Sequence, residues 1–168
     1  EDTVMKIIQG GVCAAKGFKA SGVHAGIRKN KTKKDLSLIV SEKRAAAAGT
    51  YTLNLVKGAP LYVTKENISD GYASAIICNS GNANTCNANG IEIAEQMSEL
   101  VEKTTGISKD DVVIASTGVI GQTLDITPIA EGIPSLAKEL KADTNDAAEA
   151  IMTTDTVNKE VAVSFDVA

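Results

Sequence analysis

Tryptophan is absent, and aromatic residues are scarce altogether, with three Tyr and two Phe in 168 residues. The core must therefore be aliphatic. Histidine occurs once, at His24, and no serine or cysteine is placed in sequence to partner it. A lone His is more often a packed or surface residue than a base, which disfavours a Ser-His-Asp or Cys-His enzyme. One His and three scattered cysteines, Cys13, Cys78 and Cys86, offer no ligand spacing for a metal. The cysteines form no CxxC pair, and an odd number leaves one unpaired in any disulfide scheme, so a reducing cytosol fits best. Cys78, inside an apolar strand, reads as an inert core thiol. No stretch approaches the roughly 20 apolar residues needed to span a bilayer, and no charged-then-apolar signal opens the chain. A soluble, cytoplasmic protein is expected, although a numbering that starts at Glu1 leaves room for a leader already removed. Positive charge is also in deficit, with a net charge of −4. The one dense basic run, Arg28 to Lys34, carries no interleaved aromatics, which argues against a nucleic-acid partner. Asn30 and Thr32 break it and Asp35 closes it, so it reads as a solvated turn between two strands.

What is present describes one mixed α/β domain over residues 1–168, with no repeat and no linker. Val4 to Ile8 and Gly17 to Ile27 are short and β-like, punctuated by glycines. Leu36 to Val40 is a compact apolar run, Ala45 to Ala48 a block of small residues suited to tight packing, and Thr50 to Leu55 alternates like a further strand. Tyr72 to Cys78 has a buried-strand pattern and runs into Asn79 to Asn84, which is almost pure turn chemistry. Ile93, Ala94, Met97, Leu100 and Val101 recur at helical spacing and predict an amphipathic helix from about Ile91 to Thr105. Val112 to Ala115 is a four-residue buried strand. Thr127 followed by Pro128 starts another helix with Ile129, Ile133, Leu136 and Leu140 on one stripe. A short helix is expected from Asp143 or Thr144 to Met152, and a last strand from Glu160 to Phe165.

Two segments carry chemistry. The turn Ala115-Ser116-Thr117-Gly118-Val119-Ile120-Gly121 follows a buried strand and holds two glycines and two hydroxyls, which frees backbone N–H groups to face a ligand oxygen. Such a loop suits a phosphate or the oxyanion formed when an amide or ester carbonyl is attacked. A plain connecting turn accounts for it as well. It lacks the Lys of a P-loop and the first glycine of a dinucleotide fingerprint. Met152-Thr153-Thr154-Asp155-Thr156 places three hydroxyls and a carboxylate after an apolar helix. They either satisfy backbone groups at the helix end or line a pocket for an amino-acid substrate.

Taken together, these motifs resemble the N-terminal, or α, chain of the ornithine acetyltransferase family (glutamate N-acetyltransferase, ArgJ, of arginine biosynthesis). The matching stretches are Ala15 to Gly22, Ala59-Pro60-Leu61, Asn79 to Asn84, Ala115 to Gly121 and Ala150 to Thr156, in the family's order and across nearly the whole chain. The resemblance implies an αββα-type layered fold and self-cleavage into two chains. It implies an N-terminal Thr on the β chain as nucleophile, with its own amine as base. That Thr would attack N-acetylornithine, release ornithine and pass the acetyl group to glutamate in a ping-pong cycle. The oxyanion hole falls to Thr117 and Gly118, and substrate contact to Thr153, or to Thr154 if the register is shifted by one. The partner implied is the β chain, in an α2β2 heterotetramer, with no nucleic acid and no membrane. No cofactor is implied; acetyl-CoA is a co-substrate in some members, which are then bifunctional.

The sequence departs from the family in two places. It stops at Ala168, short of the Lys-Gly-rich segment, the substrate-binding Lys and the Met-Ala-Thr cleavage site expected next. Thr85 to Gly90 also replaces what is commonly Ala-Cys-Thr-Gly, in a loop expected to be a structural turn. Two other readings stand beside the acetyltransferase: a self-cleaving aminopeptidase-like hydrolase that uses water as acceptor, and a non-enzymatic small-anion-binding module.

Overall fold

The structure, a computed structural model, describes residues 5–167. In chain order its elements are β1 (Lys6–Ile8), β2 (Phe18–Val23), β3 (Leu36–Ala46), α1 (Ala59–Asn67), β4 (Tyr72–Asn82) and α2 (Gly90–Thr105). They are followed by β5 (Val112–Val119), α3 (Thr127–Lys138), α4 (Asn145–Ile151) and β6 (Ala162–Ser164). The main sheet has the order β2-β3-β4-β5, antiparallel except for the parallel pair β4/β5, which α2 joins as the crossover. β1 and β6 form a separate antiparallel pair, shorter than the expected Glu160 to Phe165 strand. Val4, assigned with β1 from sequence, lies outside the described residues.

Strand alternation divides the main sheet into two faces. On one face Leu36, Leu38, Ile77, Val112 and Ile114 are buried against Ile93, Met97 and Val101 of α2, Ile129, Ile133 and Leu136 of α3, and Val63 of α1. Among the described residues this core contains no aromatic side chain, in keeping with how few the sequence has. The helical stripes predicted for α2 and α3 are the ones buried, except that Leu100 of α2 is only partly covered and Leu140, also partly covered, lies past the end of α3.

The opposite face carries Ile39, Ile76 and Val113 side by side through the register Ile39↔Ile76↔Val113. They line an open groove of about 440 Å³ beside Ala45 to Gly49, and Ile76 is 38% exposed. Among the described residues, α4 packs here, over the β2–β3 end. A Cβ on Gly22 would lie 2.0 Å from the Asp146 carbonyl oxygen, so glycine is what lets the helix approach. Asp146 receives Lys34 and Lys141 as ion partners, which lower its carboxyl below the ordinary range, Lys141 contributing most.

Two expectations fail. Thr50 to Leu55 is a loop and not a strand, leaving Leu53 97% and Leu55 93% exposed. Among the described residues no neighbouring strand offers it a ladder, and Thr52 and Asn54 accept the N–H groups of Asn54 and Val56 in local turns that compete with one. The second failure is at the ends of β4 and β5. β4 continues through the supposed turn to Asn82, and β5 through Thr117 and Gly118 to Val119.

Candidate active site

β4 and β5 extend because they pair with each other. The parallel register runs Ser80↔Thr117, Gly81↔Gly118 and Asn82↔Val119, so two segments that each look like turn chemistry supply each other's ladder. The approach is close at its end. A Cβ on Gly118 would lie 2.4 Å from the Gly81 carbonyl carbon, and Gly118 sits at φ +131, a region open to glycine. Alternation places Thr117 on the same face as Val113, the face turned away from α2 and α3.

The chain leaving α4 arrives at this strand end. Thr117, Gly118, Thr153 and Thr154 line one open cleft of about 390 Å³, with Gly81 and Arg28. Residues named from sequence in two separate motifs are thereby brought together. The Asp155 carboxylate accepts the Thr153 N–H at 3.2 Å and pairs with Lys159; Lys159 first, then the Thr153 N–H, keep its carboxyl below the ordinary range. Asp155 therefore shapes the turn that carries Thr153. Among the described residues, no protein hydrogen bond engages the hydroxyl of Thr117, Thr153 or Thr154, which leaves all three able to meet a ligand.

A network of asparagines holds the strand ends in place. Asn79, fully buried, accepts the Ser116 hydroxyl and donates to the Asn82 carbonyl. Asn82 donates to the Gln122 carbonyl at 3.0 Å and accepts the Asn84 N–H at 2.8 Å. Asn84, also fully buried, donates to the Gly90 carbonyl and accepts from Asn87. Backbone bonds from Ala83 to Val119 and from Gly121 to Thr85 complete the clasp. The segment from 79 to 90 is thus a brace, anchored by the buried Asn79, Asn82 and Asn84, that fixes where β5 turns, with Asn84 and Cys86 at positive φ.

The basic run does lie between β2 and β3, but two of its cations are engaged. Lys34 pairs with Asp146, and Arg28 donates from Nε to the Ser80 hydroxyl oxygen at 3.1 Å, while that hydroxyl donates to the Ala150 carbonyl at the end of α4. Asp35, fully buried, accepts the N–H groups of Ala25 at 2.6 Å and Arg28 at 2.9 Å and so sets the loop's path. Sequence reasoning missed Arg28 because its partner is 52 residues away.

The residues discounted from sequence stay outside the cleft. His24 is exposed, with Nδ1 2.9 Å from the Lys33 carbonyl oxygen. All three cysteines are free thiols, and burial pushes Cys78 up to about 12, so it remains protonated at neutral pH. Among the described residues no group of His, Cys, Asp and Glu is placed to hold a metal, and no helix is long and apolar enough to cross a membrane.

The fold is that of the ornithine acetyltransferases. The crystal structure of an arginine biosynthesis bifunctional protein ArgJ from Bacillus halodurans matches with TM-score 0.86 and 38% identity, over 100% of this chain and 94% of that one. An ornithine acetyltransferase from Mycobacterium tuberculosis, solved in complex with ornithine, matches with TM-score 0.86 and 30% identity, over 97% and 94%. The sequence pattern of the ArgJ family matches residues 19–168, and the chain belongs to that family. Relatives include an ArgJ of Caldanaerobacter subterraneus, 46% identical over 97% of this chain, and a glutamate N-acetyltransferase of Methanocaldococcus jannaschii, 44% identical over 97%. The chain spans 40% of the length of each of these two relatives.

Proposed function

We propose that this chain is the N-terminal α chain of a two-chain glutamate N-acetyltransferase of arginine biosynthesis, which moves the acetyl group from N-acetylornithine to glutamate. The observation that carries the proposal is the cleft itself. It gathers the unengaged hydroxyls of Thr117, Thr153 and Thr154 with Gly118, yet among the described residues it holds no nucleophile paired with a base. An active site so composed needs its nucleophile from elsewhere. In this reading an N-terminal Thr of the β chain attacks the acetyl carbonyl, and its free amine takes the hydroxyl proton. Thr117 and Gly118 stabilise the oxygen as it becomes negative, and Thr153 contacts the amino-acid part of the substrate. Collapse of the tetrahedral adduct releases ornithine and leaves the acetyl ester, from which glutamate takes the acetyl group in the second half of the cycle.

Two further facts support a separate partner chain. The same span that amounts to 40% of the curated relatives amounts to 94% of a single chain in each crystal structure. The half-exposed row Ile39, Ile76 and Val113 lies on the face that carries Thr117, so a second layer seated there would bring its own residues to the cleft mouth. Assembly into an α2β2 heterotetramer belongs to the same proposal.

The test is the native mass of the purified full-length protein followed by an acetyl-transfer assay. The expected result is a partner chain that begins with Thr, and acetylglutamate formed from N-acetylornithine. Hydrolysis of the donor to acetate without transfer would point to an aminopeptidase-like hydrolase, and a lone monomer that binds small anions to a binding module. No bound cofactor enters the proposal. Replacing the donor with acetyl-CoA in the same assay reports whether that thioester also serves.

A further inference from the structure

The chain has two arginines, and they are held very differently. Arg44 donates to both carboxylate oxygens of Asp111, pairs with Asp70 and lies 4.7 Å from the centre of the Tyr72 ring. That is a guanidinium consumed by structure. Arg28 has no carboxylate within ion-pair distance among the described residues. Its Nε and Nη2 both point at a single acceptor, the Ser80 hydroxyl oxygen, so three of its five N–H donors are without a protein partner.

The stem of Arg28 is nonetheless fixed. Its backbone N–H is tied to the buried Asp35 carboxylate, and Cγ lies so close over Gly81 that a Cβ there would come within 2.8 Å. Ser80, buried and bonded to the Ala150 carbonyl, orients the guanidinium from below. A positive, half-buried fork is thus held at the wall of the cleft that contains Thr117, Gly118 and Thr153, with one edge free. A fork of this shape binds a carboxylate through two parallel N–H···O bonds.

We infer that Arg28 binds the α-carboxylate of the acylated amino acid and thereby sets the enzyme's preference for substrates that carry one. The inference rests on the acetyl-transfer reading of the same cleft. In an N-acetyl amino acid the α-carboxylate carbon is three bonds from the carbonyl carbon under attack, whereas the end of the side chain is farther away. A cation sharing a cleft with the proposed oxyanion hole is therefore placed for the near group. Donor and acceptor share that α-carboxylate, so one residue would serve both halves of the cycle.

The test compares N-acetylornithine with its α-carboxamide as acetyl donors to glutamate, using the full-length, processed protein and its Arg28→Gln variant. Gln keeps part of the stem and a donor for Ser80 while removing the charge. In the wild type the acid is expected to exceed the amide in kcat/KM. Arg28→Gln is expected to reduce that ratio at least about tenfold, mainly through a higher KM for the acid, with KM for glutamate rising in parallel. Arg28→Lys, which keeps the charge and loses the fork, is expected to fall between the two, and it carries the test if the Gln variant does not process. A ratio unchanged in both variants, with transfer intact, overturns this inference alone. A wild type that transfers no acetyl group overturns the underlying reading and this inference with it.

Discussion

Thr117 and Gly118 occupy the last turnless stretch of β5, where the strand runs against Gly81 at the mouth of the cleft. If they are the oxyanion donors, losing one should act on the barrier and leave substrate binding nearly as it was. Thr117→Ala is expected to lower kcat by about 10²- to 10³-fold with KM changed little, since one such donor is worth that much where it has been removed elsewhere. Steady-state kinetics on correctly processed protein decides it, and near-normal turnover removes Thr117 from the chemistry. The Thr117 hydroxyl makes no bond within the described residues, so its loss should not unfold the chain.

The elements that position these residues differ in how far they could be read from sequence. α2 and α3 were legible because their information is local: a 3.6-residue repeat of Ile93, Met97 and Val101, or of Ile129, Ile133 and Leu136, needs no knowledge of distant chain. The ends of β4 and β5 were not. Asn79 to Asn82 and Gly118 are poor strand material, and what makes them strand is the pairing of the two segments with each other, across 37 residues. Thr50 to Leu55 failed in the opposite sense, with the right alternation and no strand to pair with. Within the cleft, the family resemblance singled out Thr117, Gly118 and Thr153 (or Thr154), while Arg28 emerged only when folding laid it against Ser80. The asparagine brace belongs to this non-local part, and Asn82 sits at its centre. Asn82→Ala leaves the Asn84 N–H without its partner and the Gln122 carbonyl with only the long 3.5 Å contact from Asn87. It is expected to cost about 1–3 kcal/mol in urea unfolding and to lower turnover, by releasing the end of β5. Unchanged stability and turnover would show that the brace does not hold the site.

At the scale of the whole molecule, acid sensitivity should trace to a few carboxylates. Hydrogen bonds from Arg44 hold the carboxyls of Asp111 and Asp70 below the ordinary range, and Lys141 with Lys34 does the same for Asp146. A carboxyl lowered by folding binds its proton more weakly when folded than when unfolded. The stability it contributes is present above the unfolded value of about 3.9 and is lost as pH falls through the lowered folded value. Asp111 is the most buried of the Arg44 partners, so Arg44→Leu is expected to destabilise the protein at pH 7, with the gap from wild type narrowing below about pH 4. Chemical unfolding at several pH values checks it, and a gap constant down to pH 3 contradicts it. The proposed two-chain enzyme would complete its active site at the cleft mouth, beside the unengaged Thr117, Thr153 and Thr154 hydroxyls. The most direct test of that proposal is to incubate the purified full-length protein with N-acetylornithine labelled in the acetyl group, together with glutamate. The account predicts labelled acetylglutamate and free ornithine in equal amounts; ornithine released without labelled acetylglutamate, or no release at all, would contradict it.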